Sequence, residues 1–113
     1  MDVLVGQWLS VPEVARQLGV EVVAVRQLLR DGQLLGLRRG ERNIPSIPAA
    51  FLDGAAVLKG LPGTLTVLGD AGFTPAERVR WLFTDDQLPG APITALVENR
   101  GTEVRRRAQA LAF

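Results

Sequence analysis

The chain has 113 residues, 47% of them hydrophobic, which is enough apolar material for a compact fold with its own core. It contains no cysteine, histidine or tyrosine, which excludes disulfides, imidazole or thiolate metal sites and nucleophilic systems that need a histidine base. The formal net charge of +1 excludes little, because a near-neutral total can hide a basic face. No apolar run is long enough to cross a bilayer and no signal-peptide pattern is present, so we expect a cytoplasmic protein with no membrane partner. We also expect no enzymatic activity, no metal and no cofactor.

A first helix is predicted to begin after Ser10. Ser10 and Glu13 have the spacing of a capping box, in which the two side chains satisfy free N–H groups at a helix start. Gly19 is predicted to end the helix, because glycine readily adopts positive φ. The apolar face of this helix consists of Val11, Val14, Ala15 and Leu18.

A second helix and a hairpin follow the Gly19 turn. The apolar stripe of the helix consists of Val22, Val25, Leu28 and Leu29, and its solvent face consists of Val23, Arg26, Gln27 and Arg30. Asp31 and Gly32 are predicted to end it. Residues 35–38 alternate in polarity, residues 39–42 form a predicted turn, and the chain returns through residues 43–44 before Pro45, which predicts a two-stranded wing. Pro48 is expected to open a short helix through Phe51 and Leu52.

The motifs SVPEVARQLGV (residues 10–20) and VRQLLRDGQL (residues 25–34), with the basic hairpin behind them, resemble the winged helix-turn-helix of excisionase and MerR-type proteins. The resemblance covers residues 8 to 48. It implies that the first helix packs behind, the second enters the major groove of duplex DNA, and the wing reaches the backbone or minor groove. The alternative is a helical hairpin with no role in nucleic-acid binding.

The predicted contacts to DNA lie between residues 22 and 42, where five arginines stand against two carboxylates. Arg26 is the candidate for a bidentate contact to guanine, aided by Gln27, although it is also interpretable as a solvated arginine. Glu21 is interpreted as a helix cap, with acceptance from cytosine N4 as the alternative. Arg38, Arg39 and Arg42 flank Gly40 at the tip of the wing, where they suit contacts to phosphates. The alternative is that their charges only keep an exposed edge strand from pairing with other chains. The predicted DNA-binding residues are Val22, Val23, Arg26, Gln27, Arg30, Arg38, Arg39 and Arg42.

The second half predicts a set of short helices after a break at residues 60–63. A weak helix is expected at residues 64–71, and Thr74 and Glu77 form a second capping box. The stripe of that helix consists of Ala76, Val79, Leu82 and Phe83. A turn is expected at residues 88–92 and a helix at 93–97, and Thr102 is predicted to cap a final helix with Val104, Ala108 and Leu111 inward. Arg105, Arg106 and Arg107 are interpreted as complementing the dipole of that helix, and no chemistry is assigned to Asp85 and Asp86.

The whole chain resembles small actinobacterial winged-helix DNA-binding proteins with a helical C-terminal domain. The motifs that carry this resemblance are KGLPGTLTVL (residues 59–68), WLFT (residues 81–84) and RRAQALAF (residues 106–113). A shorter pattern, which includes Trp81, Leu96, Gly101 and Val104, is similar to the toxin-binding domain of certain antitoxins.

We therefore expect a mainly α fold, with a winged helix-turn-helix and its two-stranded β wing over residues 1–60 and a small helical domain over residues 61–113 packed against it. The expected function is sequence-specific or semi-specific binding of double-stranded DNA, by a transcriptional regulator or a DNA-architectural protein. The alternative is a protein-interaction module whose C-terminal helices bind a protein partner.

Overall fold

The computed structural model describes residues 2–84 and 90–111. The first half contains α1 (Asp2–Val5), β1 (Trp8–Ser10), α2 (Val11–Leu18), α3 (Val22–Arg30), β2 (Leu37–Arg39), β3 (Ile44–Pro48), a 3-10 turn (Ala49–Phe51), β4 (Leu52–Asp53) and β5 (Ala56–Val57). The second half contains α4 (Leu61–Asp70), α5 (Pro75–Phe83), α6 (Pro92–Val97) and α7 (Gly101–Ala110). Asp85, Asp86 and the first two residues of the turn predicted at residues 88–92 lie outside the described residues. No helix in the described part of the chain is long and apolar enough to cross a membrane.

The predicted ends of α2 are confirmed by local hydrogen bonds. The Ser10 backbone N–H donates to Glu13 Oε1 at 2.8 Å, and the Glu13 N–H donates to Ser10 Oγ at 3.2 Å. At the other end Gly19 has a φ of 71°, and its N–H donates to carbonyls of the last turn of α2. This left-handed position favours glycine because a side chain strains it. The turn to α3 is therefore fixed locally.

The wing is part of a larger sheet than the two strands predicted. Strands β2 and β3 pair as expected, and β1 adds on the other side of β3, giving the antiparallel order β1-β3-β2. Leu9 lies opposite Ile47, and both are buried. Gly36 precedes β2 at a close approach, because a Cβ there would lie 3.1 Å from the Ser46 carbonyl oxygen. Strand β1 therefore connects the wing to the hydrophobic core, because it pairs with β3 and its Leu9 side chain is buried.

The helix ends of the second half differ from the prediction in several places. Helix α4 begins at Leu61 and not near residue 64, because Gly60, with a φ of 86°, occupies the N-cap position. Helix α7 begins at Gly101 with Arg100 at its N-cap, so Thr102 lies inside the first turn and does not cap the helix. The segment after Pro48 is a single 3-10 turn, and Leu52 lies in a strand.

The inward faces of the later helices are confirmed except near their ends. The capping box at Thr74 is present, with the Thr74 N–H donating to Glu77 Oε1 at 2.8 Å. Ala76 is exposed because it lies in the first turn of α5, where the helix has not yet reached the core. Leu111 follows the last residue of α7 and is 40% exposed. The inward residues of these helices are Val79, Leu82, Phe83, Val104 and Ala108.

One hydrophobic core runs through both halves of the chain. Phe51, from the turn after the wing, stacks on Phe83 at the end of α5 with ring centroids 5.8 Å apart and an interplanar angle of 24°. Phe51 is fully buried and Phe83 nearly so. In the second half α4 packs against α7, and α1 of the first half contacts α5 of the second. The packing of the first half therefore depends on side chains from the second.

Replacing Phe83 by Ala should destabilise the protein by about 3–5 kcal/mol, the range for a buried phenylalanine. Because Phe83 packs on Phe51, the loss should also lower the hydrogen-exchange protection of α2 and α3. Urea unfolding followed by native-state amide exchange measures both. Unchanged protection of α2 and α3 in the variant would show that the halves are energetically independent, and the fragment 1–60 should then melt at the temperature of the full chain.

The two capping boxes should make stability fall in acid. The hydrogen bonds donated by the Ser10 and Thr74 backbone N–H groups lower the pKa of Glu13 and of Glu77. A carboxylate with a lowered folded-state pKa stabilises the fold above its unfolded pKa, about 4.3, and that contribution is lost as pH falls through the folded value. A Glu13→Gln, Glu77→Gln double variant keeps the hydrogen-bonding pattern without the titration.

Urea unfolding between pH 6 and pH 3 should therefore show a shallower loss of stability in the double variant than in the wild type. Glu41→Gln provides the control, because Glu41 lies in the wing turn and takes part in no capping box. If the free energy of unfolding depends on pH equally in the wild type and the double variant, Glu13 and Glu77 are not the source of the acid-dependent loss of stability.

Candidate nucleic-acid interface

The exposed face of α3 carries the residues predicted for it. Val25 is fully buried, and this fixes the rotation of the helix about its axis. At helical spacing from one another, Val23, Arg26, Gln27 and Arg30 then form one exposed stripe. Val22 is half-buried and packs against the core, so it does not belong to that stripe.

A hydrogen-bonded chain holds the end of the stripe. Gln27 Nε2 donates to Asp31 Oδ1 at 2.8 Å, and Arg30 Nη2 donates to Gln27 Oε1 at 2.8 Å. Both ends of the Gln27 amide are thus engaged, one by Arg30 in α3 and the other by Asp31 at its C-cap. Gln27 orients the Arg30 guanidinium, and each end of its amide still has one more N–H or lone pair with which it can contact a base.

An open groove of about 310 Å³ lies between α3 and the wing. Its charged lining residues are Arg26, Arg30 and Arg38, and the remainder of its wall is apolar, including Leu29 and Leu37. A cleft that carries one sign of charge on low-dielectric walls concentrates the electrostatic potential. The groove therefore favours an anionic partner.

The wing arginines are held in different ways. Arg38 Nη1 donates to the Asn43 carbonyl at 3.1 Å, across the hairpin turn. The Arg39 guanidinium lies over the indole of Trp8, 4.2 Å from the ring centroid. Arg42 is exposed in the turn itself. In this hairpin turn, Gly40 and Asn43 have left-handed backbone conformations, with φ angles of 78° and 57°.

Trp8 is the residue of this face that sequence reasoning missed. It lies on β1, a strand of three residues that is too short to show a periodic pattern. Its cation-π contact with Arg39 restrains the wing side chain from the opposite edge of the sheet, across β3. Only the pairing of β1 with β3 brings the two residues together, and nothing in the local sequence signals it.

Glu21 occupies the N-cap position of α3, as expected, but the capping bond is absent. Among the described residues, no N–H of the first turn donates to its carboxylate, which is exposed to solvent. The start of α3 therefore presents a free negative charge beside the two valines that follow it.

The C-terminal arginines lie mainly against their own half of the chain. A Cβ at Gly63 would approach Arg105 Nη2 to 3.2 Å, so Arg105 packs over the first turns of α4. The Arg107 guanidinium lies 5.9 Å from the centroid of the Trp81 ring. Arg106 is exposed. Across residues 2–84 and 90–111, no group of three or more acidic side chains is placed to hold a metal ion.

The helix pair, the three-stranded sheet and the basic groove between α3 and the wing define a winged helix-turn-helix protein. A family model described as "DNA-binding protein Rv2175c, wHTH domain" matches residues 1–52. A second, described as "Rv2175c C-terminal domain of unknown function", matches residues 58–112. The chain belongs to the Rv2175c family.

A sequence relative and a solved structure, both named Rv2175c, support this assignment over nearly the whole chain. The DNA-binding protein Rv2175c of Mycobacterium tuberculosis (strain ATCC 25618 / H37Rv) is 40% identical over 118 residues, covering 92% of this chain and 80% of the relative. The NMR structure of Rv2175c superposes with a TM-score of 0.83 at 38% identity, covering 95% of this chain and 82% of the other. The predicted actinobacterial winged-helix resemblance is confirmed, and the finer likeness to excisionase and MerR-type proteins stays a prediction.

The Trp8–Arg39 contact should contribute a measurable coupling energy. A double-mutant cycle of Trp8→Leu and Arg39→Met, which keeps most of the aliphatic stem, should give about 0.5–1 kcal/mol in urea unfolding. The same cycle with Arg42→Met should give a value near zero, since Arg42 is exposed in the wing turn. Equal coupling energies in the two cycles would show that the stacked geometry is energetically irrelevant.

Proposed function

We propose that this chain binds double-stranded DNA, with α3 in the major groove and the wing against the sugar-phosphate backbone. The observation that carries the proposal is the groove between α3 and the wing, whose charged lining consists of Arg26, Arg30 and Arg38. Duplex DNA is a dense polyanion, and arginine suits both its phosphates and its guanine edges. The Mycobacterium tuberculosis relative is named a DNA-binding protein, which supports the same conclusion.

The arginines divide into two roles. Arg26 lies in the middle of the exposed α3 stripe, and no described group forms a hydrogen bond or ion pair with its guanidinium. It is therefore available for a bidentate contact to guanine O6 and N7. Arg38, Arg39 and Arg42 position the protein on phosphates, with Arg30 at the end of the α3 stripe. Such contacts set orientation and affinity without reading sequence.

Duplex DNA is a better partner for this surface than a single strand. Single-strand binding needs exposed aromatic faces on which bases stack. Here Phe51 and Phe83 are buried against each other, and Arg39 covers one face of Trp8. Trp81 is half-buried beneath Arg107. None of these four rings is available as a stacking platform beside the groove.

The protein-interaction alternative gains no support from the surface of the last two helices. In the described part of the second half, the large exposed apolar side chains are Val97 and Leu111. Val97 ends α6 and Leu111 follows α7, a helix about 15 Å long that separates the two positions along the chain. Two isolated side chains are ordinary surface residues and form no contiguous docking patch. We assign the second half, proposed as a domain from residue 61, to packing against the winged helix-turn-helix.

Selection from a pool of random duplexes, followed by titration at several salt concentrations, tests the proposal. Arg42→Ala should weaken binding to all duplexes alike and flatten the log-log salt slope by about 0.9 for each phosphate that Arg42 neutralises in the wild-type complex. Arg42 is preferred to Arg39 for this test because Arg39→Ala also removes the stacking on Trp8.

Arg26→Ala should instead reduce affinity for the selected site by about 1–3 kcal/mol and leave random duplexes much less affected. Arg106→Ala, a matched exposed arginine on α7, is the control and should change neither quantity. If Arg26→Ala and Arg42→Ala are both indistinguishable from this control, the interface lies elsewhere. The ratio of the wild-type affinity for the selected site to its affinity for random duplexes separates two roles. A large ratio favours a transcriptional regulator, and a ratio near one favours an architectural protein.

A further inference from the structure

We propose that Val23 is a specificity-determining residue that contacts the C5-methyl group of a pyrimidine in the major groove. The inference rests on the proposed DNA binding and states which chemical group the start of α3 recognises. A C5-methyl group is carried by thymine and by 5-methylcytosine. We expect thymine to be the source in unmodified DNA.

Val23 is unusually exposed for a valine on a helix that packs against a core. Its side chain is 66% exposed, whereas Val22 before it is half-buried against the core and Val25 is fully buried. A β-branched side chain in a helix is held close to one rotamer. Val23 therefore presents a rigid apolar surface to solvent with little conformational entropy left to lose on binding.

The position of Val23 places it where a recognition helix meets base edges. It is the second residue of α3, and the N-terminal residues of a recognition helix contact bases in the major groove. It lies on the same stripe as Arg26 and Arg30, three and seven residues further on. If the arginines of the stripe face DNA, Val23 faces it too.

The charges around Val23 decide which part of the DNA it meets. The arginines of the groove lie toward the middle and end of α3, whereas Glu21, exposed and without a capping bond, stands two residues before Val23. A free carboxylate repels phosphate, so this end of the helix is unsuited to a backbone contact. On the major-groove edges of unmodified base pairs, the apolar group is the thymine methyl. An isopropyl side chain between Glu21 and Arg26 matches that group.

The test uses the full chain and the duplex selected by the wild type from a random pool. The same duplex is made with deoxyuridine in place of every thymine, which removes only the methyl groups and keeps all base pairing. The wild type should bind the uracil duplex about fourfold more weakly for each methyl group that it touches, the value for burying one methyl-sized group. Val23→Ala should bind the two duplexes with nearly equal affinity, with an unchanged salt slope.

Two further variants and one further duplex sharpen the result. Val97→Ala is the matched control, because Val97 is 63% exposed but lies on α6. It should keep the full thymine preference. Val23→Thr keeps β-branching and one methyl group and should retain part of the preference. A third duplex carries 5-methylcytosine on the uracil background. Because thymine is the expected source of the methyl group, the wild type should bind this duplex no more tightly than the uracil duplex.

The outcomes separate this inference from the proposed function. Tight and sequence-dependent binding by a wild type that does not distinguish thymine from uracil would overturn the role of Val23 and leave DNA binding standing. A Val23→Ala variant that remains as sensitive to uracil as the wild type would do the same. If the wild type binds no duplex above background, the proposed function fails and the inference fails with it.

Discussion

The burial of Val25 is the constraint on which the proposed interface depends. Val25 is fully buried, and so is Val14 on the neighbouring helix. Since an α-helix turns about 100° per residue, fixing one side chain inward fixes the direction of all the others. Val23, Arg26 and Arg30 are exposed together because Val25 is buried. A polar residue at position 25 would rotate or loosen α3, and Val23, Arg26 and Arg30 would no longer be exposed on one face.

The second constraint is the anchoring of the wing. A two-stranded hairpin is marginally stable alone in water, and here β1 supplies a third strand. The Trp8 indole on β1 holds the guanidinium of Arg39, so one wing cation is oriented before any partner arrives. Preorganisation of this kind lowers the entropy lost on binding. The wing is therefore held in a fixed position relative to α3, and the two elements form the two walls of one groove.

The C-terminal half contributes to this interface indirectly. Phe83 closes the core against Phe51, which follows directly on β3 and the wing. The C-terminal arginines Arg105 and Arg107 lie over α4 and Trp81, so part of the basic charge of the chain is used in packing. A run of arginines in a sequence therefore does not by itself identify an interface, because arginine stems also cover apolar surface of their own chain.

The sequence by itself determined those features that depend on neighbours within one helical turn. The capping boxes at Ser10 and Thr74, the glycine stop at Gly19 and the exposed stripe of α3 were all predicted, because capping hydrogen bonds and helical periodicity join residues three or four apart. The tertiary structure alone decided the third strand, the Trp8–Arg39 contact and the Phe51–Phe83 stack, since each joins residues more than 30 positions apart. It also decided that Thr102 is not a cap and that Leu111 is exposed. At the ends of short helices, the packing of neighbouring elements outweighs local propensity, so the local sequence does not fix the final boundary.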